Sequence, residues 1–302
     1  MADDTEPMVR PVVPEADRII GVRYPVLTHG FVALVDYMGN DAAIVQAARV
    51  SYGRGTKSVR DDRGLIRYLM RHRHTTPFEM VEYKFFVRLP IFVARQWIRH
   101  RASSTNEYSA RYSIVPDEFE VPPAEEVRHQ STRNRQGRGD ALPAEVVERF
   151  RSDLSSIAGD AYAAYSRALE AGVARETARL LLPVAYYTQW YWKTNLHNLF
   201  HFLSLRLDLH AQEEIRLYAV ELARIARLVC PVAVEAFEEF QLEGVAFGRR
   251  EQRAVRALLD GRSPAEACAA AGLPLTREDG RPMTTGEGVE FLEKLERLRG
   301  ID

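Results

Sequence analysis

Apolar and polar positions change period several times along this chain, and each change marks an element. Residues 31–37 open as Phe31-Val32-Ala33-Leu34-Val35, an apolar run rich in β-branched side chains that predicts a buried strand. Asn40 or Asp41 then stands where a helix needs a cap, ahead of a helical stretch through Arg49. A second helix is expected over residues 61–71, with Leu65, Ile66, Leu69 and Met70 on its apolar side. Thr76-Pro77-Phe78-Glu79 reads as a capping box with proline at the first helical position. Val81, Tyr83, Phe85, Val87 and Leu89 alternate with Glu82, Lys84 and Arg88, the period of a strand with one exposed face. Pro90 opens a helix expected to run through Arg101, which would put Gln96, Arg99 and His100 on one face.

The second half is more helical. Residues 142–171 predict a long amphipathic helix ended by Gly172, and residues 174–182 a shorter one stopped at Pro183. Residues 186–192 are aromatic and strand-like. Over residues 195–208 a helical wheel puts His197, His201, Ser204 and Asp208 in one stripe and Arg206 nearly opposite. One straight helix cannot then aim His201 and Arg206 at the same atom, so it borders two sites or shares one with a neighbouring subunit. Residues 211–242 read as a continuing helix, and residues 253–259, 264–271 and 288–299 as short ones. Helix dominates around a modest, mostly antiparallel central sheet between helical layers, an α+β fold. The expected organisation is a flexible arm (1–22), a main domain (23–245) and a helical appendage of no assigned role (246–302), with residues 128–139 a mobile polar loop.

Candidate chemistry concentrates in residues 99–112, where Arg99, His100, Arg101 and Arg111 mix with Asn106, Glu107 and several hydroxyls. Forked guanidinium groups beside hydroxyl donors suit phosphate and a polar heterocycle, so the stretch reads as an anion site for a nucleotide. Gly53 and Gly55 make no dinucleotide-binding turn. Arg71-His72-Arg73 repeats the Arg-His-Arg pattern without its downstream Asn-Glu and Ser, and a helix C-terminus explains its charge. The 41 Lys and Arg against 42 Asp and Glu leave a net charge of −1, which argues against a protein that coats nucleic acid. Arginines interleaved with Tyr108 and Tyr112 keep single-stranded nucleic acid as a rival ligand, and His197, His201, Asp208, His210 and Glu214 keep a metal centre as another. The expected answer is no metal, no nucleic acid and no membrane: no paired metal-ligand motif occurs, and no apolar run approaches the ~20 residues of a span. Cys230 and Cys268 are the only cysteines, which suits a reducing cytoplasm without disulfides.

Arg99-His100-Arg101, seven residues and then Ser109 resembles the signature of the flavin-dependent thymidylate synthases. The resemblance extends over residues 31–41 and 74–112 and resumes at 175–183 and 195–212. It implies methylation of dUMP to dTMP with 5,10-methylenetetrahydrofolate as carbon donor, NADPH as reductant and FAD as hydride carrier. It also implies a homotetramer whose sites are shared between subunits. By the same resemblance Arg206 is the catalytic cation beside the pyrimidine. Gln96, Arg99, Glu107, Ser109, Ala110, Arg111, Arg179 and Arg206 match nucleotide contacts. Ser51, His74, Thr76, Arg99, His100, Arg101, Glu107, Asn195, His197 and His201 match flavin contacts. No cysteine or serine is expected to act as a nucleophile, since Ser109 has no dedicated base.

Overall fold

The computed structural model describes residues 10–50, 62–131 and 137–300. In chain order its elements are α1 (Pro14–Asp17), β1 (Tyr24–Val26), β2 (Gly30–Met38), α2 (Asp41–Val50), α3 (Asp62–Arg71), α4 (Thr76–Glu79), β3 (Glu82–Pro90), α5 (Ile91–Trp97), β4 (Ser104–Glu107), β5 (Arg128–Gln130), β6 (Arg138–Ala141), α6 (Ala144–Glu170), α7 (Arg175–Ala178), β7 (Tyr187–Asn195), α8 (Leu196–Arg206), α9 (Glu213–Val229), α10 (Pro231–Phe237), α11 (Arg249–Leu259), α12 (Pro264–Ala271) and α13 (Glu287–Arg299). The fold is α+β. Five strands pair in the order β1-β2-β3-β7-β4, all antiparallel, beside a two-stranded ribbon of β5 and β6.

The period-two pattern of β3 sorts its side chains as expected: Tyr83, Phe85, Val87 and Leu89 are buried, whereas Glu82, Lys84, Phe86 and Arg88 are not. Trp190 and Trp192 of β7 are buried as well. Trp97 at the end of α5 meets both, with ring centroids 5.8 Å and 5.1 Å apart, and also Phe202 of α8 at 4.7 Å and Tyr218 of α9 at 6.0 Å. Large rings bury much apolar area and favour offset or edge-on contacts, so this knot ties three helices to the sheet. Gly30 allows the closest approach: a Cβ there would collide with the Tyr218 hydroxyl, which donates instead to the Arg88 carbonyl at 2.7 Å.

Several sequence expectations change. The helix after Pro90 stops at Trp97 instead of Arg101, because Trp97 turns into the ring knot. His100 N then bonds the Trp97 carbonyl at 2.9 Å, and Arg99 is exposed while His100 is buried. Gln96, Arg99 and His100 therefore do not share one helical face. The capping box at Thr76 is absent: Thr76 lies inside α4, and no side chain caps it. The Thr75 carbonyl takes the Phe78 N–H at 3.0 Å, and Pro77 has no N–H to satisfy.

The helix expected over residues 211–242 breaks at Cys230, because Pro231 supplies no donor and starts α10. Asp41 caps that new start, its carboxylate accepting from Val232 N at 2.9 Å and Ala233 N at 3.0 Å. Asn40 meanwhile caps α2 through Ala42 N at 3.0 Å. The segment after Ala174 is one α turn followed by a 3-10 turn, Arg179–Leu181. Residues 10–22, read from sequence as part of a loose arm, are docked: Ala16 is fully buried and the Tyr37 hydroxyl donates to Asp17 Oδ1 at 2.6 Å. Residues 128–139 carry β5 and the start of β6, with 132–136 outside the described residues.

The chain divides into two compact units: Leu242 lies in the larger and Glu243 in the smaller, which also takes in Gln130 and Gly139. The smaller unit packs α11, α12 and α13 around Ala254, Ala267, Cys268, Leu273 and Phe291. A capping box does occur there, with Ser263 N donating to Glu266 Oε2 at 2.9 Å.

Candidate functional site

The first group of expected site residues gathers where the end of α5 meets α8 and the start of α9. Arg206, at the last turn of α8, is half-buried and donates through Nη2 to the Gln96 carbonyl at 3.4 Å. The Gln96 side chain donates through Nε2 to Gln212 Oε1 at 2.8 Å. Arg206 Nε and Gln96 Oε1 are shut off from solvent and have no hydrogen-bond partner among the described residues. Burial lowers the Arg206 pKa, yet a guanidinium stays charged at neutral pH. This corner thus holds a half-buried cation and two enclosed polar atoms without partners among the described residues.

His100 lies beside them. Its ring packs against Trp192 at 6.1 Å, Phe202 at 5.6 Å and His201 at 5.5 Å, and its Nε2 also has no partner among the described residues. Burial, and then the charges of His201 and Arg206, push its pKa down to about 4, so the imidazole is neutral at pH 7. His201 and Arg206 both act on His100 within one chain. Arg99 and Arg101 are exposed on either side.

A second group lies along the exposed edge strand and the turn after it. Glu107, the last residue of β4, accepts from Thr188 Oγ1 at 2.7 Å, and Thr188 is itself buried. Ser109 tightens the next turn, its carbonyl accepting from Tyr112 N at 3.0 Å and Ser113 N at 3.1 Å. Ala110 packs on a small core of Val115, Tyr165 and Tyr186. Arg111 Nε pairs with Glu176 at 3.2 Å, and Arg179 Nε donates to the Glu176 carbonyl at 3.3 Å. Arg175 donates to the Tyr112 carbonyl. Arg111 and Arg175 therefore tie this turn to the start of α7, while Arg179 bonds within its own segment. No hydrogen bond or ion pair joins this group to the first among the described residues.

The remaining expected residues are more dispersed. Asn195 spends its side-chain oxygen on capping α8, accepting from Asn198 N at 2.9 Å. His197 is half-buried on α8. His74 is exposed with its ring 6.0 Å from that of Tyr68, and Thr76 is exposed at the start of α4, which packs on α8 through Phe78 and Phe200. Ser51 lies outside the described residues. Sequence reading missed Gln212, Thr188 and Glu176. Period-two alternation in β7 contained the signal for Thr188, and the six-residue step from Arg206 across a turn contained that for Gln212.

The residues fit a flavin: a neutral buried imidazole with an unused nitrogen, flanked by two exposed guanidinium groups, suits a polar heterocycle carrying phosphates. Neither cysteine is primed as a nucleophile, since both are buried and burial pushes both thiols up. Among the described residues no three of His, Cys, Asp and Glu gather as metal ligands.

The family described as thymidylate synthase complementing protein matches residues 33–232. A flavin-dependent thymidylate synthase from Gluconobacter oxydans (strain 621H) is 52% identical over 265 residues, which is 86% of this chain and 88% of the relative. Its counterpart from Wolbachia pipientis wMel is 52% identical over 252 residues, 83% of this chain and 89% of the relative. Among solved structures, the UMP/dUMP methylase PolB from Streptomyces cacaoi bound with 5-Br dUMP superposes with a TM-score of 0.65 at 36% identity, covering 72% of this chain and 99% of its own. With the Arg-His-Arg turn, Ser109 and Arg206 all inside the matched span, the chain belongs to the family of flavin-dependent thymidylate synthases.

Proposed function

We propose that this chain catalyses the reductive methylation of dUMP to dTMP, with 5,10-methylenetetrahydrofolate as carbon donor, FAD as bound cofactor and NADPH as reductant. The observation that carries the assignment is the Arg206–Gln96 pair, a half-buried cation without a carboxylate partner inside the matched span. Uracil C5 attacks an electrophilic carbon only when negative charge develops in the ring. A preset, desolvated guanidinium stabilises that charge more than the neutral ground state, which is how binding becomes rate. Arg206 presents its guanidinium to a carbonyl of the base, with Gln96 beside it. Ser109, Arg111 and Arg179 hold the phosphate, and Glu107 hydrogen-bonds the sugar or cofactor.

His100, Arg99, Arg101, His74, Thr76, Asn195, His197, His201 and Ser51 are assigned to the flavin, which when bound supplies the hydride that completes the methyl group. A neutral His100 adds no further positive charge to a site already rich in arginine, and its free nitrogen serves as donor or acceptor. Residues 23–245 make up the catalytic domain, and residues 246–302 form an appendage to it.

The separation of the two residue groups supports sites shared between subunits of a homotetramer, each group completing the other's in a neighbouring copy. The balanced charge supports a small-molecule substrate and no nucleic-acid partner. No helix among the described residues is long and apolar enough to cross a membrane, and we assign the enzyme to the cytoplasm. The purified protein is expected to be yellow, to contain FAD and to bleach with NADPH under anaerobic conditions. A colourless protein that cannot be reconstituted with FAD rejects the assignment.

A further inference from the structure

Glu107 ends the edge strand β4, inside the stretch that carries Arg99, Arg101 and Arg111. Among the described residues it pairs with none of them; Arg111 is held by Glu176 instead. Its hydrogen bond comes from a neutral donor, Thr188 Oγ1 to Glu107 Oε1 at 2.7 Å. The register of the sheet brings the two together. Glu107 stands opposite Trp190, and Thr188 precedes Trp190 by two residues, so all three side chains leave the same face. Thr188 and Trp190 are buried there, whereas Glu107 is exposed. The backbone is fixed as well, because Tyr108 N donates to the Gln189 carbonyl at 2.8 Å just past Glu107.

An exposed glutamate on an edge strand ordinarily samples many rotamers, and holding it in one costs conformational entropy. A buried threonine has a stiff χ1 and a single O–H to give. Spending that donor on Oε1 fixes the carboxylate, and no donor among the described residues occupies Oε2. A carboxylate only accepts hydrogen bonds, so it reads an O–H or N–H and repels a phosphate. In a nucleotide the donors nearest the phosphate are the hydroxyls of the sugar. A fixed, exposed acceptor within a run of arginines therefore suits the sugar of a ligand whose phosphate those arginines hold.

We infer that Thr188 is a positioning residue that aims the Glu107 carboxylate at a sugar hydroxyl of a bound nucleotide. The inference rests on the proposed assignment of Glu107, under which that hydroxyl belongs to dUMP or to FAD. Thr188 itself touches neither; it acts through Glu107.

The test uses the full chain. On the FAD-loaded protein, Kd is measured for dUMP and for its analogue without the 3-hydroxyl, the one free hydroxyl of that sugar; FAD-stripped protein is titrated with FAD. The wild-type chain is expected to prefer dUMP about tenfold, as for a hydrogen bond to a charged group. Thr188→Val keeps the shape and removes the donor, which should cut the preference to about twofold, and Thr188→Ser should restore it. Thermal unfolding of Thr188→Val should be no easier, because Glu107 is exposed and water replaces the lost donor. Adding Thr188→Val to Glu107→Ala should change little further. A preserved preference with FAD binding weakened about tenfold assigns the hydroxyl to the flavin and upholds the positioning role. Both ligands unaffected by Thr188→Val, no recovery by Thr188→Ser, or additive loss in the double variant overturns the inference while leaving Glu107 in the site. Unchanged binding of both ligands by Glu107→Ala overturns it together with the placement of Glu107, and a wild-type chain that binds neither ligand rejects the proposed function itself.

Discussion

Arg206 and Arg111 carry the same guanidinium in opposite settings. Arg206 is half-buried, held by one main-chain carbonyl, with its Nε unmatched among the described residues. Arg111 is about half exposed and already paired with a carboxylate, Glu176, at 3.2 Å. An exposed ion pair of this kind is worth little in water and exchanges easily, so on the proposed assignment a phosphate can displace Glu176. A desolvated cation without a carboxylate is costly to maintain, and its field is felt strongly by charge that appears beside it. On the proposed assignment the difference separates binding from chemistry: Arg111 captures a standing charge, and Arg206 meets a charge that exists only along the reaction.

Removing the half-buried cation should therefore have the largest effect. Arg206→Ala is expected to lower dTMP formation by about 10²–10³-fold, the range for deleting a preorganised charge stabiliser, while reduction of the bound flavin by NADPH survives. Arg206→Lys should recover only part, because a point charge does not reproduce the planar fork. Stopped-flow assays of the two half-reactions check this. Equal loss of both would move Arg206 to a structural or flavin role.

Substitutions at the exposed arginines should appear in affinity instead of rate. Arg111→Ala and Arg179→Ala are each expected to raise KM for dUMP about tenfold, as for loss of a hydrogen bond to a charged group, with kcat nearly unchanged. Glu176→Gln should lower KM slightly by releasing Arg111. A collapse of kcat in the arginine variants would erase the distinction between the two settings.

The sequence made one of these settings easier to read than the other. Alternation in β3 and the apolar run of β2 gave the sheet, because period two survives whatever packs on it. The density of arginines and hydroxyls from Arg99 to Tyr112 flagged the exposed half, since such residues have few other reasons to cluster. The buried half depends on long-range contacts that no local pattern encodes. Trp97 ends α5 because of rings on β7, α8 and α9, which determines that His100 is buried while Arg99 is exposed. Gln212 is six residues from Arg206 in the chain, but its side chain meets Gln96, 116 residues away. Asp41, a candidate cap for α2, instead caps α10, 191 residues on. Local periodicity located the elements, and tertiary packing chose which of their polar residues meet.

A pH-dependent effect of intermediate size follows from His100. Its imidazole titrates near 6.5 when unfolded and at about 4 when folded, so between those values the unfolded chain binds more protons. Stability present above about pH 6.5 should fall as the pH drops toward 4, with flavin loss accompanying it. His100→Asn should flatten that part of the profile in thermal unfolding. An unchanged profile would mean that other groups dominate the acid limb.

The smallest effect is expected at the cysteines. Cys230→Ser with Cys268→Ser should retain dTMP formation within about twofold, because buried thiols with raised pKa supply no thiolate. Loss of activity in a folded double variant would return a covalent nucleophile to consideration.

The most direct measurement of the whole account is a single turnover. Protein reduced with NADPH and freed of excess reductant is mixed anaerobically with dUMP and methylenetetrahydrofolate, and flavin absorbance and dTMP are followed together. The account predicts that the yellow colour returns only when both substrates are present, with about one dTMP formed per flavin reoxidised, and that Arg206→Ala stays bleached. Reoxidation without dTMP, or dTMP formed from flavin-free protein, would contradict it.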